Sequence, residues 1–495
     1  MARLGRGGMG RCYTPNSPAI SRSRLAAGWR LSEPSAARAV ILAAGRGKRM
    51  RSRLPKVMHP LGGLPLLEHA IRAAESAAVG RPIVVVAELE PSLGTRFQDR
   101  AEFVVQSEPL GTADALAHAR PLLDGVSVVL VLPADLPLLR GASLTALAEA
   151  LRRSQAGAAV LTASVRDAGG WGRIVRDDHG RLLQIVEDAD EPWDGLPAEV
   201  NCGAYAFVLP RLWAAMERLS TDNAQGELYV SWLPQLVDGG AVTVGVSSPD
   251  EAIQVNDRVQ LAAAEAALRW RTLRRLMLSG VTVTDPEATW IDCDVEVGED
   301  TVIAPGTVLR GRSRIGRDCV IGPFAELEDV EVGSGCRIGR SQLIGCRLAD
   351  GVDVGPFNRV RPDSQLESHS HLGTFTEVVR SRVGKGSRIP HLSYVGDADL
   401  GADVNVGAGS ITANWDGREK HRTVVEEGAR LGSDTVLVAP RRVGRGAYTG
   451  TGSVITQDVP AGALGVSRSS QRNIEGWAAR KRPQQELTSQ EGGGT

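Results

Sequence analysis

At 495 residues the chain is too long for one ordinary hydrophobic core, so two or more domains are expected. With 42% hydrophobic residues, 23% charged residues and a formal net charge of -1, it is neither a disordered segment nor a dedicated nucleic-acid or membrane-surface binder. No apolar run reaches the length of a bilayer span.

In chain order, the stretch Met1 to Ser32 holds six arginines and no acid, the bias of a transit peptide. Residues 1–36 are read as a disordered extension or the product of an over-called start and are set apart from the fold. Short apolar runs then alternate with helical spacing. Ala39–Leu42, Ile83–Ala87, Phe103–Val105 and Val126–Leu132 read as buried strands, and Leu66–Ala78 and Ala113–Ala119 as helices. Strand and helix in alternation predict an open α/β domain with a mostly parallel sheet over 37–256, whose ligands bind beyond the carboxyl ends of the strands.

The first such end carries "LAAGRGKRMRSRLPK", Leu42 to Lys56. Gly45 and Gly47 allow close backbone approach and present N–H groups; Arg49 and Lys56 add charge for phosphate oxygens. The spacing is neither that of a dinucleotide fingerprint nor that of a P-loop. The apolar strand Val126–Leu132 ends in "PADLPL", so Asp135 sits where a carboxylate can hold a phosphate-bridging metal or cap a turn. In "QSEPLGTADA", Gln106 can donate to and accept from an imide edge such as uracil.

From Asp257 to Ser279 the text is rich in Ala, Leu and Arg and free of Gly and Pro, which predicts one long helix, 257–280, stopped by Gly280. Beyond it, aliphatic-Gly pairs recur: Ile315-Gly316 and Ile321-Gly322 are six residues apart, as are Val332-Gly333, Ile338-Gly339 and Ile344-Gly345 in succession. That period predicts a parallel β-helix over 281–470, one aliphatic side chain inward per repeat, followed by a tail over 471–495. Such prisms bury their flat sides against one another, so an oligomer, three-fold, is expected. The six cysteines (Cys12, Cys202, Cys293, Cys319, Cys336 and Cys346) form no C-x-x-C pair and read as reduced, cytoplasmic thiols.

The motifs together, "LAAGRGKRM…LPK", "LGTADA", "GWGRI", "NAQGELY", "GKGS…HLSYVGDADLGADVNVGAG", "NWDG" and "GSDTVLVAP", resemble those of the bacterial bifunctional N-acetylglucosamine-1-phosphate uridyltransferase / glucosamine-1-phosphate acetyltransferase family, from about Ala39 to Trp477. The resemblance implies a Rossmann-like nucleotidyltransferase domain joined by the helix to a left-handed β-helix. It also implies a homotrimer and a two-step synthesis of UDP-N-acetylglucosamine for cell-wall peptidoglycan. The C-terminal domain would acetylate glucosamine 1-phosphate from acetyl-CoA. The N-terminal domain would join the product to UMP from UTP, with Mg²⁺, and release pyrophosphate.

Residue by residue, the resemblance puts Arg49 and Lys56 on the triphosphate and Leu42, Gly45, Gln106, Gly111 and Thr112 around the nucleotide. Gly172, Glu187 and Asn201 fall on the sugar, and Asp135 and Asn256 on the metal. In the second domain His391 falls on the catalytic histidine. Arg361, Tyr394, Asn405 and Lys420 fall on the sugar-phosphate pocket, and Asn414, Ser433, Thr451 and Arg468 on acetyl-CoA. The chain departs from the family at Pro133 and Ala134 before the metal aspartate, and at Ala189 in "EDADE". In the second domain it departs at Asp363, at Val379 where a phosphate-site lysine stands, at Trp415 and at Thr451. Arg380 neighbours Val379, but consecutive residues of an extended coil face opposite ways. These departures define an alternative in which the β-helix is a trimerising scaffold with little acetyl transfer. Two further readings are a zinc site on His369 and His371, and a non-catalytic regulatory subunit.

Overall fold

The computed structural model describes residues 37–45, 47–77, 80–166, 168–192 and 197–481. The expectations for residues 1–36 and for the end of the tail lie outside the described residues. The chain divides into two compact units, and the division falls after Ala264, inside the long helix, which runs Arg258–Leu278.

The first unit is an open sheet. Its principal strands are β1 (Ala37–Ala43), β2 (Ile83–Val86), β3 (Glu102–Val105), β4 (Val128–Pro133), β5 (Ala158–Val165), β6 (Ala198–Val208) and β7 (Ala241–Gly245). They lie in the order β7-β5-β6-β4-β1-β2-β3. β1 pairs in parallel with β2 and β4, β2 with β3 and β5 with β7, while β6 runs antiparallel to both neighbours. The sheet is therefore mostly parallel. Its middle strands are apolar on both faces because helices cover both: Val40, Ile83, Val129 and Val131 pack into one layer, Ile41, Val84, Leu130 and Leu132 into the other. The strand expected over Val126–Leu132 starts two residues later, since the turn closed by Val126 N–H donating to Leu123 O consumes the first ones. The helix expected over Leu66–Ala78 is Leu66–Ser76, and that over Ala113–Ala119 is Thr112–His118.

The second unit is a left-handed parallel β-helix of two- and three-residue strands, with two longer ones of nine residues, His371–Val379 and Arg388–Gly396. Register pairs stack Ile303 on Ile321, Ile321 on Ile338 and Ile338 on Val354, so the first coil has the 18 residues of three hexapeptides and the next two are shorter by one and two residues. A second face stacks Leu309, Leu327, Leu343 and Val360, and a third Ile315, Val332, Leu348 and Leu366. These columns fill the prism with branched aliphatics, joined by Leu273 and Leu276 from the long helix. One expected inward residue is corrected: in the Ile344-Gly345 pair it is Leu343 that is buried, and Ile344 is only partly so. There the glycine follows the corner (φ +54°) and the phase slips by one residue. The regular step is broken once, between Leu400 and its partner Val425, where residues 414–422 leave the prism as a loop.

Cys319, Cys336 and Cys346 sit inside the prism as small apolar side chains, and among the described residues no cysteine forms a disulfide. No described helix is long and apolar enough to cross a membrane.

Candidate active sites

The first unit holds a cavity of about 810 Å³ at the carboxyl ends of β1 and β4. Leu42 lines it from the end of β1, Gly45, Arg49 and Lys56 from the glycine loop, and Gln106, Gly111 and Thr112 from the segment after β3. Asp135 enters after β4, Gly172 and Glu187 from the hairpin of Arg173–Arg176 and Leu182–Val186, Asn201 from β6, and Asn256 from the turn before the long helix. The three departures Pro133, Ala189 and, one layer deeper, Ala134 are placed as well: the first two line the cavity and the third is buried beneath it.

Several of these positions are enforced by sterics. Gly111 has φ +121°, and a Cβ there would lie 2.4 Å from Leu228 O. Gly47 has φ +57°, and a Cβ there would lie 2.6 Å from Lys56 Cβ, so the lysine stem rests on the glycine loop.

The centre of the cavity is a three-residue contact. Lys56 Nζ donates to Asp135 Oδ2 at 2.5 Å and to Asn256 Oδ1 at 2.8 Å. The lysine side chain is 10% exposed and the aspartate 24%. Val255 N–H donates to Asp135 O at 2.9 Å and Ala134 N–H to Leu42 O at 3.0 Å, which ties the three segments together at the backbone. Close by, the fully buried Glu251 accepts from the Arg140 N–H (3.0 Å) and from the hydroxyls of Ser143 and Ser247 (2.6 Å each), and so fixes the turn that leads to Asn256. Nothing in the sequence singled this residue out; its partners lie 108 and 111 residues upstream or four residues away.

Two amides are already committed. Gln106 Nε2 donates to Gly111 O at 3.1 Å and to Asp114 at 2.7 Å, so toward a ligand it offers Oε1 rather than the donor-acceptor pair expected. Asn201 Nδ2 donates to the Tyr205 hydroxyl at 2.6 Å, and its Oδ1 accepts from Gly203 N–H. At the hairpin end, burial first and the neighbouring Asp190 and Asp188 next push the Glu187 carboxyl above its ordinary range, opposed by a hydrogen bond with Ser231. Gln225, Glu227 and Tyr229 also line the cavity. They belong to the "NAQGELY" motif, whose residue pattern alone assigns them no role.

In the second unit the predicted residues are related by coil register. His391 is exposed on the strand Arg388–Gly396, with Tyr394 three residues further on. Glu377 is the register neighbour of Tyr394 and accepts from Arg361 Nη1 at 3.2 Å, so Arg361, Glu377 and Tyr394 share a face. Asn405 stacks on Arg388, three residues before His391. Asn414 and Lys420 belong to the loop of 414–422, closed by a bridge between Trp415 and Lys420. Asn414 Nδ2 donates to Asp397 Oδ2. Arg380 grips the same Asp397 with two bonds of 2.8 Å, and these first, then Asn414 and the Lys420 charge, hold that carboxyl below its ordinary range. Val379 is buried at 2% exposure while Arg380 faces out. Ser433, Thr451 and Arg468 stack at another corner: Gly452 N–H donates to Ser433 O, and Arg468 Nη1 donates to Thr451 O at 3.1 Å.

The two histidines considered for zinc go to different partners. His371 Nδ1 lies 2.9 Å from Asp353 Oδ2, while His369, at a corner with φ +60°, packs against Gly351.

Comparison with known proteins gives one consistent answer. The MobA-like NTP transferase domain family matches residues 39–235. A bifunctional protein GlmU of Brevibacillus brevis is 44% identical over 441 residues, covering 88% of this chain and 95% of that one. The chain belongs to the bifunctional GlmU family. The GlmU protein of Syntrophomonas wolfei is 43% identical over 441 residues, and that of Mycobacterium tuberculosis 43% identical over 457 residues, covering 90% of this chain and 92% of that one. The similarity thus runs through both units, and the chain is a two-activity transferase, a uridylyltransferase and an acetyltransferase.

Proposed function

We propose that the cavity of the first unit is the uridylyl-transfer site, with N-acetylglucosamine 1-phosphate and UTP as its substrates. The observation that carries this is the meeting of Lys56, Asp135 and Asn256, residues from three distant segments, beside the glycine loop. A sugar-phosphate oxygen attacks the α-phosphorus of UTP, and the bond to the β-phosphate oxygen breaks with release of pyrophosphate. The sugar phosphate brings its own nucleophilic oxygen, so no side-chain nucleophile is needed; the two reactants are anions that repel, and positioning and positive charge bring them together. Gly45 and Gly47 let the phosphates approach the backbone, and Arg49 stabilises charge on the departing pyrophosphate. Gln106 Oε1 accepts from the uracil imide, and Glu187 and Asn201 bind the sugar.

Asp135 and Asn256 fit Mg²⁺: they present one carboxylate and one amide oxygen, hard donors, converging on a point that a cation, the Lys56 ammonium, already occupies. When bound, the ion would neutralise phosphate oxygens of both substrates.

The second unit acetylates glucosamine 1-phosphate. His391 takes the proton of the attacking amine, whose nitrogen bonds to the thioester carbonyl carbon as the carbon–sulfur bond to CoA breaks. Arg361, Tyr394, Asn405 and Lys420 would hold the sugar phosphate, and Asn414, Ser433, Thr451 and Arg468 the CoA. The assembly is a homotrimer in the cytoplasm. Its support is an exposed ladder along one corner of the prism, in which Phe357 and Phe375 stack at 5.3 Å and Arg340 lies over Phe324 and Phe357. Mg²⁺-dependent pyrophosphate release from UTP and N-acetylglucosamine 1-phosphate, and free-thiol release from acetyl-CoA and glucosamine 1-phosphate, test the two sites. Absence of the first returns the chain to a regulatory role, and absence of the second to the scaffold alternative. Light scattering tests the trimer; a monomer at micromolar concentration would refute it.

A further inference from the structure

Lys56 stands where a divalent ion would have to be. Its ammonium is shared by the carboxylate of Asp135 and the amide oxygen of Asn256, at 2.5 and 2.8 Å, in a contact largely screened from water. A fixed cation and a divalent cation compete for the same two oxygens, because at contact distance their mutual repulsion is strong wherever water is scarce. The lysine also has somewhere else to go. Its stem lies against Gly47, so rotation about the side-chain bonds carries the ammonium from the oxygen pair toward the glycine loop, where phosphates are proposed to bind.

We infer that Lys56 is a resident cation of the nucleotide-free protein: it holds Asp135 and Asn256 together and keeps a divalent ion out until the phosphates of the nucleotide draw the ammonium away. The inference rests on the uridylyl-transfer reading for the metal role of the two oxygens. It adds an order of events, in which the ion enters with the nucleotide rather than before it. Lys56 thus has two positions: on the oxygen pair before binding and on the phosphates after it. Its ammonium pre-assembles the two metal ligands, which come from segments more than 100 residues apart in sequence.

The test is Mn²⁺ binding to the full chain, read by electron paramagnetic resonance of free Mn²⁺, with and without UTP and in the absence of sugar phosphate. Wild type should bind Mn²⁺ weakly alone and at least about tenfold more tightly with UTP. Lys56→Ala and Lys56→Met should each tighten nucleotide-free binding about tenfold or more, Lys56→Arg should leave it weak, and adding Asp135→Asn to Lys56→Ala should abolish the gain. Circular dichroism establishes that each variant is folded; with two neutral replacements, one misfolded variant does not decide the outcome. Nucleotide-free affinity that is unchanged or lower in folded Lys56→Ala and Lys56→Met, or a gain that survives Asp135→Asn, overturns the inference. If wild type binds no additional Mn²⁺ even with UTP, the metal role of the oxygen pair falls, and the inference with it. UTP-dependent Mn²⁺ binding in wild type without a Lys56 effect would overturn the inference alone.

Discussion

Replacing Asp135 by alanine separates the two activities. The substitution removes the only charged oxygen donor of the pair with Asn256, and with it the hold on Mg²⁺. Metal-borne charge stabilisation of a phosphoryl transition state is worth several kcal/mol. A loss of about 3–5 kcal/mol corresponds to a uridylyl rate lower by roughly 10²–10⁴-fold, at 1.36 kcal/mol per tenfold. The same change leaves the Lys56 ammonium, 10% exposed, with Asn256 Oδ1 alone. Breaking a contact of this kind costs about 1–3 kcal/mol of stability in the first unit. The second unit keeps its own core and its own candidate residues, so acetyl transfer should stay within about twofold of wild type. Both reactions can be followed in one preparation, pyrophosphate by coupled phosphate detection and CoA by its free thiol. A uridylyl rate reduced less than tenfold would refute the metal role of Asp135. Equal loss of both rates in protein of wild-type circular dichroism would refute the independence of the sites.

Three other outcomes follow from the same geometry. His391→Ala should lower acetyl transfer by roughly 10²–10⁴-fold, the usual yield of a positioned general base, with pyrophosphate release unchanged. Glu187, whose folded-state carboxyl titrates above the ordinary value, binds its proton more tightly folded than unfolded. Stability of the first unit should therefore fall as pH rises from the ordinary carboxylate value to the raised one and level off beyond it. Glu187→Gln should remove that slope in calorimetric scans, so that its melting temperature exceeds wild type at pH 7 but not at pH 4. Glu251→Ala, which strands one backbone N–H and two hydroxyls in the interior, should cost about 3 kcal/mol in urea unfolding of the first unit and weaken Mn²⁺ binding through the displaced turn before Asn256.

The legible parts of this protein were those written in short-range pattern. Six-residue steps of glycine announced the prism, and alternating apolar runs announced the sheet. Asp135 was findable because it follows an unbroken apolar strand. Boundaries slipped by one or two residues where a turn borrowed from a strand, as at Val126, and the inward phase slipped at Leu343 because a positive-φ corner lies outside any simple period. What pattern could not supply was partnership across distance. Glu251 buried against Ser143, Gln106 already bonded to Asp114, and Arg380 clasping Asp397 all depend on which segments the fold brings together. The Lys56 ammonium between Asp135 and Asn256 is the clearest case, since a lysine and a metal ligand read alike whether or not they touch.

The most direct test of the account is one incubation. Purified full-length protein is mixed with glucosamine 1-phosphate, acetyl-CoA, UTP and Mg²⁺, and every product is followed by mass. The account predicts N-acetylglucosamine 1-phosphate first, then UDP-N-acetylglucosamine with one pyrophosphate per nucleotide sugar, and no nucleotide sugar when Mg²⁺ is chelated. Nucleotide sugar formed at an unchanged rate under chelation, or none formed when N-acetylglucosamine 1-phosphate is supplied directly, would contradict it.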